Sequence, residues 1–147
     1  MKKRSAGKTP PVSAEAYGRS LRGIGFNLLV TDVPRAVTFA TEVLGATSFY
    51  DDEDFAALRF NGADFMFHAD HSYGDHPLSG IVAGLEARGA GVELRLYGCD
   101  PDVAEARARD MGFTVLSGSL DKPHGLRECV ILDDDGYAWV PAVATPG

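Results

Sequence analysis

Cysteine is scarce in this chain, long apolar runs are missing, and basic residues are crowded at one end. Cys99 and Cys129 are the two cysteines among 147 residues, so at most one bridge can form, and their spacing fits no zinc motif. The basic start MKKR runs into SAGKTPPVSAEA, which is too polar for the apolar core of a signal peptide. No segment approaches transmembrane length. The expectation is a cytoplasmic protein with reduced thiols and no membrane partner. Of the 14 Lys and Arg, six stand in residues 1–22 beside a single Glu, which leaves 8 basic against 20 acidic residues and a net charge of −12 for residues 23–147. A surface so poor in positive charge argues against nucleic acid or an anionic membrane as partner, and suits a cationic or neutral small ligand. No serine-centred glycine elbow and no phosphate-binding glycine loop occurs. The seventeen glycines mark turns and helix ends instead.

What is present is an internal repeat. Gly23–Thr47 reads GIGFNLLVTDVPRAVTFATEVLGAT and Gly91–Thr114 reads GVELRLYGCDPDVAEARARDMGFT. Each begins with strand-like alternation, reaches an Asp beside a Pro (Asp32 with Pro34, Asp100 with Pro101), continues as a helical run, and stops at a glycine, Gly45 or Gly112. An Asp before a Pro-started run caps a helix N-terminus, and glycine supplies the stop. Alternation puts Ile24, Phe26, Leu28 and Val30 on one face of the first strand, and Gly25, Asn27 and Leu29 on the other. In the second strand Val92, Leu94 and Leu96 are the apolar face, so Glu93, Arg95 and Tyr97 share the opposite one. Helices should cover the apolar faces, 33–44 the first and 101–111 the second, which leaves a more polar face in each module for function.

The rest of the chain follows the same plan. Residues 1–21, with Pro10-Pro11 and small polar neighbours, read as a mobile basic arm. After the first helix, Thr47–Asp51 and Phe55–Phe60 read as strands around an acidic, solvated turn (Asp51, Asp52, Glu53, Asp54), and Asn61-Gly62 is a hairpin signal leading into Ala63–His68. In that strand Asp64, Met66 and His68 share a face opposite Phe65 and Phe67. Residues 69–79 read as a loop, with His71 and His76 solvated there, and 81–87 as a short helix. Phe113–Leu116, Leu126–Leu132 and Tyr137–Pro141 complete the second module, with His124 in a loop and Asp133–Gly136 as the last turn. Module one spans about 22–70, a linker about 71–89, and module two about 90–143. Cys129, alternating within a strand, reads as packing rather than nucleophile.

Two βαβββ modules, a strand ending VTD before a helix to EVLGA, and the late segment KPHGLRECVILDDDGYAWV together resemble the vicinal oxygen chelate superfamily. This is the glyoxalase, bleomycin-resistance and extradiol-dioxygenase group. The resemblance covers residues 22–143, and its most specific piece is Gly125, Arg127, Asp133, Asp135, Gly136 and Tyr137. It implies an α+β fold in which two modules form curved mixed sheets around a cavity, and it implies a homodimer. Metal-binding members place ligands at positions that correspond here to Gly25, Met66, Glu93 and Val140, of which Glu93 alone is a good donor for zinc, iron or manganese. A catalytic metal ordinarily has about three protein ligands.

The resulting expectation is a small-molecule-binding member of that superfamily without the family's metal, sequestering a cationic or polar organic ligand with Asn27, Asp64, His68, Glu93, Arg95, Tyr97 and Arg127. The alternative is a glyoxalase-like lyase or isomerase, or a ring-cleaving dioxygenase, with a divalent metal relocated to His68, Glu93 and Asp64. A structural or regulatory dimer is a third class.

Overall fold

The computed structural model describes residues 9–147. It divides into two compact units, one made of the chain up to Val37 with Ala46–Ala83, the other of Thr38–Gly45 with Gly84–Gly147. The first holds helix α1 (Ala14–Ser20), strand β1 (Asn27–Val30), helix α2 (Val33–Thr38, its last residue in the other unit), and strands β2 (Thr47–Asp51), β3 (Phe55–Phe60) and β4 (Ala63–Ala69). A 3₁₀ turn (Asp70–Tyr73) and helix α3 (Pro77–Val82) follow. The second unit holds a π-helical turn (Phe39–Val43), strand β5 (Glu93–Tyr97), helix α4 (Pro101–Asp110), and strands β6 (Thr114–Asp121), β7 (Leu126–Leu132) and β8 (Ala138–Ala144).

The repeat is a repeat of backbone plan. One sheet runs β1-β4-β3-β2 and the other β5-β8-β7-β6. In each the first strand pairs parallel with the last and the remaining pairs are antiparallel. This is an α+β fold of two four-stranded mixed sheets, as expected. The hairpin at Asn61-Gly62 forms with both residues at positive φ, 47° and 83°, the geometry of the tight turn that suits twisted strands.

Several boundaries differ from the sequence reading. Ile24 lies before β1 and is wholly exposed, and Val92 lies before β5, its amide bonded back to the Gly89 carbonyl. The expected single helix over 33–44 changes character at Phe39, where the Leu44 amide reaches the Phe39 carbonyl at 3.4 Å. The wider turn lets Phe39, Ala40, Val43 and Leu44 all be buried. That stretch was expected to cover the first sheet. Instead it packs within the second unit, where the Phe39 ring lies 4.8 Å edge-on from Phe113 and 5.9 Å from Trp139. Helix α4 lies where expected, against β6, β7 and β8.

The 81–87 helix is displaced to Pro77–Val82, because His76 Nδ1 caps the Leu78 amide at 3.1 Å and Pro77 opens the first turn. Strand β6 continues to Asp121 and β8 to Ala144, beyond the ends read at Leu116 and Pro141. The acidic turn is not wholly solvated: Asp54 is 1% exposed and pairs with His71, which was read as solvated. Asp52 holds the turn by accepting from the amides of Asp54 and Phe55.

The N-terminal arm also differs, since residues 14–20 are helical. Ser13 caps the helix, its hydroxyl accepting from the Ala16 amide at 3.1 Å, and Glu15 pairs with Arg19 one turn on. Residues 1–8 of the expected arm lie outside the described residues.

Candidate functional site

In the first unit, parallel pairing of Asn27 with Met66 and Leu29 with His68, and antiparallel pairing of Phe55 with His68, Ala57 with Met66 and Arg59 with Asp64, set one face of the sheet. Side chains directly opposite across a pair point the same way. That face therefore carries Asn27, Phe55, Ala57, Arg59, Asp64, Met66 and His68. A bulge between Ser48 and Tyr50 in β2 adds two consecutive aromatics, Phe49 and Tyr50, where a regular strand would offer one. Over this face lies a cavity of about 350 Å³, lined from the sheet by Phe49, Tyr50, Phe55, Ala57, Met66 and His68 and from the N-terminal segment by Pro10, Pro11, Val12, Ala14, Tyr17, Gly18 and Leu21.

His68 is the buried polar side chain of this floor, 4% exposed. Its Nδ1 bonds to the Asn27 side-chain oxygen, and the Asn27 amide donates to the Tyr73 hydroxyl at 2.8 Å. An Nδ1 that donates to an amide oxygen carries the proton of the neutral ring, which makes Nε2 the acceptor. The rings of Phe55 and Tyr73 lie 4.8 and 5.1 Å from the imidazole, so its orientation is set by packing as well as by Asn27.

At the other end of the same face a four-residue cluster ties the N-terminal helix down. Arg59 donates to Asp64 through Nε at 2.5 Å and Nη2 at 3.0 Å, and its guanidinium stands 5.1 Å from the centroid of Phe49. Tyr17 lies 5.1 Å from the Phe49 ring and donates its hydroxyl to Asp64 Oδ2 at 3.3 Å. The bonds from Arg59 hold the Asp64 carboxyl below the usual carboxylate range against the opposing effect of burial. Burial, and then the neighbouring Asp64 charge, push the Tyr17 hydroxyl up to about 12.

In the second unit Arg95 is the centre of a polar network on one face of the sheet. It donates to Glu93 at 2.8 Å, to Tyr97 Oη at 3.1 Å and to Glu128, which also meets His124 Nε2 at 3.3 Å. Burial alone would raise the Glu128 carboxyl, but the bonds from Arg95 and His124 carry it below its ordinary value. Arg127, next to Glu128 on β7, faces the other way, as neighbours on a strand do. It is held by Asp102 of α4 at 2.8 Å and by Asp121 at 3.1 Å. The structure thus brings Asn27 and His68 together, places Asp64 on their face, and brings Glu93, Arg95 and Tyr97 together. Arg127 it puts on the helix side of its sheet.

Metal chemistry finds a poor set of donors. At the positions the resemblance gives, Gly25 has no side chain, Val140 is buried hydrocarbon, Met66 offers a thioether in an apolar lining, and Glu93 is engaged by Arg95. A thioether is a soft ligand and suits none of zinc, iron or manganese well. For the relocated set, Asp64 is committed to Arg59 and Tyr17 and Glu93 to Arg95, which leaves the His68 imidazole as the single ligand of the three. Among the described residues no group of three or more His, Cys, Asp or Glu stands together as a metal donor set. The residues present do not fit the family's metal.

Sequence reasoning missed Phe49, Tyr50, Phe55 and the N-terminal wall. The hairpin register carried part of the signal, because pairing across Asn61-Gly62 puts Phe55, Ala57 and Arg59 on the face of Asp64, Met66 and His68. The other part was a stripe at 14, 17, 18 and 21, the spacing of one helix face.

The fold is that of the glyoxalase and bleomycin-resistance proteins. A glyoxalase/bleomycin resistance protein/dioxygenase from Nocardioides is 22% identical with a TM-score of 0.61, covering 90% of this chain and 93% of that one. A glyoxalase/bleomycin resistance protein/dioxygenase family enzyme from Burkholderia phytofirmans PsJN is 16% identical with a TM-score of 0.65, covering 82% and 97%. TioX from Micromonospora sp. ML1 is 21% identical with a TM-score of 0.60, covering 84% and 99%. No protein-family model and no curated protein matches the sequence. At these identities the likeness is one of fold. No helix is long and apolar enough to cross a membrane among the described residues.

Proposed function

We propose that this protein binds a small organic molecule in the cavity over its first sheet, without a resident metal. The observation that carries the proposal is the cavity itself: about 350 Å³, walled by Tyr17, Phe49, Tyr50, Phe55 and Met66, with the buried His68 in its floor. That is the size and make-up of a small-molecule pocket, mostly apolar with few orienting polar groups. Aromatic walls favour a flat ring system, and His68 gives it one hydrogen-bonding neighbour. A cationic ligand was expected from the acidic composition. Among the described residues no Asp or Glu lines the cavity, so a cation there would be attracted by aromatic faces and not paired with a carboxylate. The ligand class is therefore a ring compound, neutral or singly cationic.

The test is a fluorescence titration with N-phenyl-1-naphthylamine, a neutral aromatic dye that brightens in apolar surroundings, followed by displacement with neutral, cationic and anionic ring compounds. Saturable binding is expected, weakened by Ala57→Leu, which fills the floor, and displaced least well by the anions. Absence of saturable binding, or an Ala57→Leu protein that binds the dye as well as the wild type, would contradict the proposal.

A further inference from the structure

The N-terminal segment is the feature that neither the composition nor the fold explains. Helix α1 and its C-cap lay the stripe Ala14, Tyr17, Gly18 and Leu21 along the cavity, with Tyr17 half-buried, while Glu15 and Arg19 pair with each other on the exposed side. The helix does not fill the sheet face it covers, since the 350 Å³ cavity remains beneath it. It spans that face, fixed by the Tyr17 bond to Asp64 and the ring contact with Phe49.

Gly18 is informative. Glycine inside a helix costs about 0.5–1 kcal/mol relative to alanine, and here no backbone need offsets that cost: its φ is not positive, and a Cβ built on it would meet nothing within 4 Å. Sterically the position tolerates a side chain, yet it lines the cavity. Any larger residue there would take volume from the space that a ligand would occupy.

We infer that Pro10–Leu21 is a wall of the binding site, with Tyr17 a ligand-contacting residue and Gly18 the position whose missing side chain sets the depth of the site. The inference rests on the cavity being the ligand site, and it narrows the ligand to a flat ring compound enclosed between the sheet and α1. Asp64 and Arg59 are positioning residues, because they act through the Tyr17 hydroxyl. A ligand in contact with Tyr17 and the sheet holds α1 down.

The full-length protein tests this with the same dye. Gly18→Leu should keep or improve stability, as leucine is a better helix former, and should weaken the dye about tenfold or more by occupying the cavity. Tyr17→Ala should weaken it about as much by removing an aromatic wall, and Tyr17→Phe less, since the ring stays. Bound dye should also slow trypsin cleavage after Arg19 and Arg22. If Gly18→Leu and Tyr17→Ala bind the dye within about twofold of the wild type while Ala57→Leu binds it poorly, the wall inference is overturned and the cavity reading stands. If Ala57→Leu is also without effect, the cavity reading itself falls. Unchanged trypsin cleavage with saturating dye would likewise overturn the wall.

Discussion

Asp133 accepts three hydrogen bonds at the last hairpin, and removing them one or three at a time gives a measurable series. Its Oδ2 accepts from the indole Nε1 of Trp139 at 2.9 Å, and its Oδ1 from the amides of Asp135 and Tyr137 at 3.0 Å each. Trp139 is fully buried, so its N–H has no water to fall back on. Asp133→Asn keeps an oxygen for the two amides but turns an NH₂ toward the indole donor. A buried donor left without its acceptor costs about 1–3 kcal/mol, and that is the loss expected for Asn. Asp133→Ala loses all three acceptors, for which roughly 3–5 kcal/mol follows.

The charge on Asp133 adds a pH dependence of opposite sign to that of a surface carboxylate. Burial is the largest influence on the Asp133 carboxyl and raises it above its ordinary value, outweighing the bonds from Trp139, Tyr137 and Asp135. A folded value above the unfolded one means the native state binds more protons between the two, so stability falls as pH rises through that window. Asn does not titrate. The advantage of the wild type over Asp133→Asn should therefore be greatest near pH 4 and shrink as pH rises. Urea unfolding followed by Trp139, the one tryptophan, reads both effects. An Asn variant as stable as the wild type, or a gap that widens with pH, would refute the reasoning.

Other sites give simpler outcomes. Gly136→Ala should be severely destabilising in thermal unfolding, because a Cβ there would stand 2.4 Å from the Glu86 carbonyl oxygen at a φ of 81°; a melting temperature near that of the wild type would contradict this. Cys99 and Cys129 are buried, and burial raises both thiols to about 11. Both should react with a thiol reagent at pH 8 only after denaturation. Because Asp64 is held below its unfolded value by Arg59, its contribution is present above the unfolded value and lost as pH falls through the folded one. Asp64→Asn should accordingly flatten the acid limb of the stability profile, which an unchanged limb would contradict.

Legibility in the sequence followed the range of the interactions involved. The hairpin at Asn61-Gly62, the capped start of α4 at Asp100-Pro101, and the face shared by Asn27 and His68 were readable, because turn chemistry, capping and alternation act within a few residues. The switch to π-helical geometry at Phe39 was not, since it depends on how Phe39 packs with Phe113 and Trp139, far along the chain. Arg127 was misplaced for a different reason. Its strand was found, but its partner Asp102 sits on α4, and strand alternation alone does not say which face the helix covers. The bulge at Ser48–Tyr50 hid two aromatic walls by breaking the alternation that would have revealed them. Helix α1 was legible in its Ala14, Tyr17, Gly18, Leu21 spacing, but Pro10-Pro11 and the basic start outweighed seven residues of weak periodicity.

The most direct test of the account is heteronuclear NMR of the labelled protein titrated with N-phenyl-1-naphthylamine. Shifts should concentrate on Tyr17, Gly18, Phe49, Phe55, Ala57, Met66 and His68 and saturate together. Shifts that cluster instead on Glu93, Arg95, Tyr97 and Glu128, or that scatter without saturating, would contradict a ligand site over the first sheet.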